Sequence, residues 1–197
     1  MKLLKINPIE IRGNWDKGFV LDRHVISSVP KGENVYGHME FDTIRTELGE
    51  LLYLFKNKNR YSCLNEIMNM IKPFLDSWKD LDDVDIVLPV PPSKPRNYQP
   101  AIEIAQAIAD HLNISFSDGV LENINQEQTK NILKADRNMK GKIIANLRAT
   151  RQHTILLVDD LFDTGSTMKE CVSVLREDPK LLKILVLAMT KTKGEML

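Results

Sequence analysis

Two adjacent carboxylates, Asp159 and Asp160, close the apolar run Thr154-Ile155-Leu156-Leu157-Val158 and lead into Leu161-Phe162-Asp163-Thr164-Gly165-Ser166-Thr167. Ionised carboxylates only accept hydrogen bonds, so an acidic pair suits a diol, whose two hydroxyls both donate. A few residues on, Thr164, Ser166 and Thr167 supply hydroxyls, and Gly165 lets the backbone approach a ligand closely. An amphipathic pattern, Met168, Val172 and Leu175, begins near Ser166. The free N–H groups and positive dipole end of a helix starting there favour a phosphate. A phosphate cup beside a diol acceptor describes a ribose 5-phosphate site. Asp163 sits inside this cup. At about 5 Å and an effective dielectric of about 20, each phosphate charge would repel its carboxylate by roughly 3 kcal/mol, so its side chain is expected to turn away.

Two further segments carry charge suited to a pyrophosphate. In Val87-Leu88-Pro89-Val90-Pro91-Pro92-Ser93-Lys94-Pro95-Arg96-Asn97-Tyr98-Gln99-Pro100, a second apolar run ends in a Pro-rich turn ahead of a helical pattern. Arg96 offers forked bonds and Lys94 a compact charge, with Ser93 beside them. The polar stretch from about Ile124 to Lys142 holds Gln126 to Lys130, then Lys134, Arg137 and Gly141. It has no clear period, as expected of a functional or disordered loop.

These residues need a scaffold, and the apolar runs supply one. Val84 to Val90, Thr154 to Val158 and Ile184 to Met189 do not alternate, which fits parallel strands buried on both faces. Helical patterns bracket them: Ala101, Ile104, Ala105, Ile108 and Leu112 in one, Met168, Val172 and Leu175 in another. Strand alternating with helix predicts an α/β fold with crossover helices, in which ligands bind where strand carboxyl ends meet helix amino ends. Upstream, Lys2 to about Met39 reads as hairpin-like strands. Ile44, Leu48, Leu51, Leu52 and Phe55 predict an amphipathic helix between Thr43 and Asn57. Leu64, Ile67, Met68, Ile71, Leu75 and Trp78 predict a second helix, which Pro73 should kink or restart. The expected division is residues 1–80, an N-terminal hood lobe, and 81–197, the ligand-binding core.

Composition narrows the class. The 197 residues are 43% hydrophobic and 27% charged, so a core can form and wholesale disorder is not expected. With Lys+Arg and Asp+Glu at 27 each, there is no global field for a polyanion, and no basic stripe or helix-turn-helix pattern supports nucleic-acid binding. Cys63 and Cys171 form no Cys-x-x-Cys pair, hence neither a zinc site nor a disulfide framework is expected. His24 and His38 read as hairpin or packing residues rather than ligands. No stretch approaches the roughly 18 apolar residues of a membrane span, and Lys5, Glu10 and Arg12 interrupt any signal-like segment. The expected compartment is the cytosol.

Two other phosphate-site readings fail on the residues. A response-regulator receiver places its acidic pair after the first strand, whereas only about 37 residues follow Asp160. A Walker-type loop needs Gly-x-x-x-x-Gly-Lys-Ser/Thr, which does not occur.

The run Leu156 to Thr167 resembles the phosphoribosyl-pyrophosphate (PRPP) signature of type I phosphoribosyltransferases. The resemblance implies that Asp159 and Asp160 contact the ribose 2- and 3-hydroxyls, and that Thr164, Gly165, Ser166 and Thr167 hold the 5-phosphate. Purine-using members are similar in having Asp-Thr-Gly, which implies Asp163 as proton acceptor from the base. The Pro-Val-Pro turn with its basic residues, the Arg137-Asn138-x-x-Gly141 loop, and Asp42 to Lys56 resemble the ComF-like (competence protein F) branch, without the N-terminal zinc module many members carry. The resemblance implies a type I phosphoribosyltransferase fold. It further implies transfer of ribose 5-phosphate from PRPP to a nitrogenous base, with release of pyrophosphate held by Ser93, Lys94, Arg96 and Arg137. Mg2+ would be needed, held mainly through PRPP and by Asp159. A noncatalytic PRPP or nucleotide sensor remains the alternative. Partners expected are PRPP, a base or nucleoside monophosphate, and a second copy in a homodimer.

Overall fold

A computed structural model describes residues 6–93, 98–124 and 142–192. The chain forms β1 (Ile9–Glu10), β2 (Lys17–Arg23), β3 (Val25–Glu33), β4 (Met39–Arg45), α1 (Glu47–Asn57) and α2 (Cys63–Ser77). A short 3-10 helix (Lys79–Asp83) leads to β5 (Ile86–Pro89), α3 (Pro100–Leu112), β6 (Ser115–Phe116), β7 (Leu121–Asn123) and β8 (Ile143–Ala145). The last elements are β9 (His153–Phe162), α4 (Ser166–Leu175) and β10 (Leu181–Lys191). The α/β fold expected from the alternating patterns is present.

The central sheet runs β1-β2-β10-β9-β5-β6, with every neighbouring pair parallel except β1 with β2. Its apolar runs do not alternate because both faces are covered. Leu156, Val158, Leu185, Leu187 and Met189 pack on the side of α1, α2 and α3, while Ile155, Leu157, Ile184, Val186 and Ala188 pack on the side of α4. Cys63 and Cys171 are free, buried thiols in these two separate cores. Residues 9–23, placed by the sequence reading in the hood lobe, supply β1 and β2 to this same sheet. The rest of the lobe comprises the separate two-stranded ribbon β3–β4 and helices α1 and α2.

Three boundaries differ from the sequence reading, each for a physical reason. Ile44, read as the first apolar position of a helix, lies on β4 and is 58% exposed. Thr46 stops the strand, its hydroxyl accepting from the Gly49 amide at 3.0 Å and so starting α1 at Glu47. Gly49 is required there, since a Cβ would sit 2.2 Å from the His24 carbonyl oxygen. Helix α2 does not restart at Pro73 but runs unbroken through it, because the buried stripe Ile67, Met68, Met70, Ile71 and Leu75 offsets one missing backbone bond near its carboxyl end. Strand β9 extends past Val158 through the acidic pair, held by ladder pairing of Ala188 with Asp159, Thr190 with Leu161 and Lys191 with Phe162.

At the opposite end of the sheet, Asp80 on the 3-10 helix joins β2 and β10. Its carboxylate lies 3.0 Å from Lys17 Nζ and 2.8 Å from Lys183 Nζ, and it accepts from Trp78 Nε1 at 3.1 Å. The bond from Lys183, then that from Lys17, lowers its pKa to about 2. A carboxyl depressed by folding contributes stability that is present above its ordinary value of 3.8 and lost as pH falls towards 2. Asp80→Asn is therefore expected to cost about 1 kcal/mol at neutral pH, limited by solvent screening. The difference from the parent should shrink as thermal melts are taken from pH 4 to pH 2.

Candidate functional site

Strand β9 alternates its side chains across the sheet, and its last turns carry that alternation out of the core into two acids on opposite faces. Asp160 lies towards α1, where Lys56 Nζ meets its Oδ2 at 2.6 Å. Asp159 lies towards α4, where its charge helps hold the Cys171 thiol above its usual range, after burial as the larger cause. The Asp160 amide donates to Asp159 Oδ1 at 2.8 Å. Burial first, and the neighbouring Asp160 charge second, raise the Asp159 carboxyl well above the ordinary carboxylate range.

Both acids open onto one cavity of about 190 Å³ at the carboxyl ends of β5 and β9. Thr167 on the first turn of α4, Ser93 after β5, Gln99 before α3 and Lys56 complete the part that bears polar groups. The cavity lies where the connections diverge. From β5 the chain crosses through α3 to β6 on one side, and from β9 it crosses through α4 to β10 on the other. Such a switch point leaves a crevice above the strand ends.

Between β9 and α4 the chain turns at Gly165, whose φ of +74° is in the left-handed region. A Cβ there would meet Phe162 Cζ at 2.5 Å. Glycine is thus needed for conformation and for space. Thr164 Oγ1 donates to Ser166 Oγ at 3.0 Å, and Lys169 N bonds the Gly165 carbonyl at 2.9 Å to start the helix. The N-cap Gly165 offers helix α4 no side chain, the Ser166 amide reaches only the Thr164 hydroxyl at 3.4 Å, and the first turn carries no acidic residue. The amino end of α4 thus keeps the positive dipole that an anion would meet.

The structure brings together Asp159, Asp160, Thr167 and Ser93, with Thr164, Gly165 and Ser166 on the adjoining turn. Asp163 is exposed, does not line the cavity, and accepts a hydrogen bond from Thr192 Oγ1 just beyond β10. Lys94, Arg96, Lys134 and Arg137 lie outside the described residues. Lys56 was missed as a site residue: it closes an amphipathic helix 104 residues before Asp160, and nothing in local spacing links them. The sequence reading left both acids open to a ligand, whereas Asp160 is engaged by Lys56. That pair borders solvent, with side-chain exposures of 31% for Lys56 and 14% for Asp160, and both residues line the cavity.

Solved structures with a similar arrangement share little sequence. Adenine phosphoribosyl transferase from Trypanosoma brucei is 12% identical, with 96% of this chain and 87% of that one covered and a TM-score of 0.47. Orotate phosphoribosyltransferase from Aeropyrum pernix is 14% identical, with 87% and 77% covered and a TM-score of 0.46. A curated relative, the transcriptional regulator GfcR of Methanocaldococcus jannaschii, is 34% identical over 59 residues, which are 29% of this chain and 28% of that protein. The match thus spans little more than a quarter of the relative's length. Residues 99–196, which hold α3 to β10 with the acidic pair and the Gly165 turn among them, match the phosphoribosyl transferase domain.

Proposed function

We propose that the chain is a type I phosphoribosyltransferase of the ComF-like branch, which binds PRPP and transfers ribose 5-phosphate to a nitrogenous base. The observation that carries this reading is the meeting of Asp159, Asp160 and Thr167 in one cavity at the ends of β5 and β9. Asp159 and Asp160 accept the two ribose hydroxyls, and the turn from Thr164 to Thr167 holds the 5-phosphate at the amino end of α4. Ser93 stands on the diphosphate side, with Lys94, Arg96 and Arg137 assigned there from the sequence. The bond from ribose C1 to the diphosphate oxygen breaks as the base nitrogen bonds to C1, and the electron pair leaves with pyrophosphate. Asp163, which holds Thr192 outside the cavity lining, is assigned from the sequence to take the proton released by the base nitrogen once it turns to the ligand; a purine is the base that the Asp-Thr-Gly run favours.

Among the described residues no group of three or more His, Cys, Asp or Glu could hold a metal ion. The donor set at the cavity, two carboxylates, is too small to hold a hard cation tightly alone, and water or ligand oxygens must complete its shell. Mg2+ fits on those terms, carried by PRPP and met by Asp159, and it would neutralise charge on the leaving diphosphate. No helix among the described residues is long and apolar enough to cross a membrane, and a cytosolic setting accords with nucleotide chemistry.

Calorimetry with PRPP and MgCl2, followed by a pyrophosphate-release assay over purine and pyrimidine bases, tests the assignment. Saturable binding and release with at least one base are expected. Failure to bind PRPP would overturn the reading. A second reading, a noncatalytic PRPP sensor, is favoured by the similarity to a transcriptional regulator; binding with no release for any base would select it.

A further inference from the structure

Lys56 stands at the junction of two parts of the molecule. The buried stripe Leu48, Leu52 and Phe55 fixes α1 against the core, and Lys56, in the last turn, leaves that stripe to reach the carboxyl end of β9. Its Nζ sits 2.6 Å from Asp160 Oδ2 and forms part of the cavity wall. Lys56 is the more exposed of the two, and both line the cavity that an entering ligand reaches. An ammonium carries three donors, and the hydrogen bond it makes among the described residues is the one to Asp160.

We propose that Lys56 serves as the site's built-in counter-cation. With the cavity empty, it neutralises Asp160 and thereby denies the acidic pair to free divalent cations. When a pentose diphosphate arrives with its own magnesium, that charge satisfies the acids, and Lys56 turns its ammonium to the ligand's phosphate oxygens. The site then selects the metal-loaded ligand over the metal alone, and ligand entry is felt by α1, the helix that leads from the β3–β4 ribbon. This inference rests on the PRPP reading for the identity of the ligand. The Lys56–Asp160 exchange itself rests on geometry.

The experiment compares the full chain with Lys56→Met and Lys56→Arg, titrated by calorimetry first with MgCl2 alone and then with PRPP plus MgCl2. Circular dichroism verifies the fold of each variant. Lys56→Met is expected to bind free Mg2+ about tenfold more tightly and PRPP with Mg2+ about tenfold more weakly, whereas Lys56→Arg, which keeps the charge, stays near the parent in both. Unchanged affinity for both ligands in Lys56→Met, with the parent binding PRPP, would overturn the proposal. So would weaker PRPP binding without the gain in Mg2+ affinity, because Lys56 would then be only a phosphate contact. A parent that fails to bind PRPP while Lys56→Met still gains Mg2+ affinity would refute the PRPP reading and leave the counter-cation role standing.

Discussion

A Gly165→Val variant is expected to lose at least about 100-fold in affinity for PRPP and to melt at a lower temperature. A β-branched residue at a φ of +74° carries a backbone penalty of about 1–3 kcal/mol. Its Cβ would also lie 2.5 Å from Phe162 Cζ. For the ring to yield it would have to leave its edge-on packing against Trp15, with ring centroids 6.3 Å apart, and Trp15 is buried with its indole N–H bonded to the Ile11 carbonyl. The turn must open, which displaces Thr164, Ser166 and the amino end of α4 together. Losing two charge-assisted hydrogen bonds to a phosphate, at about 1.5–3 kcal/mol each, accounts for the expected loss. Thermal melting and calorimetry check the two effects separately. Parental affinity in a folded Gly165→Val protein would remove this turn from the site.

The second large effect separates stability from binding. Asp159 is held protonated more readily than an ordinary carboxyl, mainly by burial and then by the Asp160 charge. A carboxyl raised by folding contributes stability that is fully present below its ordinary value of 3.8 and lost as pH rises through the folded value. At pH well above that value the ionised Asp159 is a cost to the fold. Asp159→Asn removes that cost and keeps an oxygen to accept from the Asp160 amide, so it is expected to stabilise the chain by about 1 kcal/mol at alkaline pH. The same variant should bind PRPP about 100-fold more weakly, because the amide cannot accept from a ribose hydroxyl and offset a cation as a carboxylate does. If Asp159 accepts a ribose hydroxyl as proposed, its ionised form is the one that binds, and PRPP affinity should rise with pH until the carboxyl is ionised in the free protein. Binding should release protons in calorimetry run in buffers of different ionisation enthalpy. A variant less stable than the parent at high pH, or a parent with pH-independent affinity, would contradict this account.

Local chemistry was legible where one short segment contains it. Val158, the acidic pair, Gly165 and the start of α4 at Ser166 lie within a dozen residues, and each follows from a local cause: ladder pairing, positive φ, or helix initiation. The buried parallel strands were legible because covering both faces erases alternation. The end of β9 was not, because strand length there depends on β10, whose pairing reaches Phe162. Ile44 was misplaced because its helical spacing from Leu48 is accidental, and the Thr46 cap decides where α1 begins. Lys56 escaped for a third reason: its partner is remote in sequence, and a basic residue in the last turn of a helix is explained equally well by the helix dipole.

The sheet order carries a consequence for how the chain acquires its structure. β10 is the last described strand in sequence, yet it lies between β2 and β9, with Val186 beside Gly18 on one flank and Leu157 on the other. During synthesis the segment from Lys17 to Arg23 therefore waits for a neighbour made more than 150 residues later. Until that segment leaves the ribosome, Val20 and Leu21, both fully enclosed in the finished molecule, lack the strand that covers them. Loop closure over such a span is slow, and the interval exposes apolar edges to other chains. Closing the sheet at β2 is thus a late step that awaits synthesis of β10.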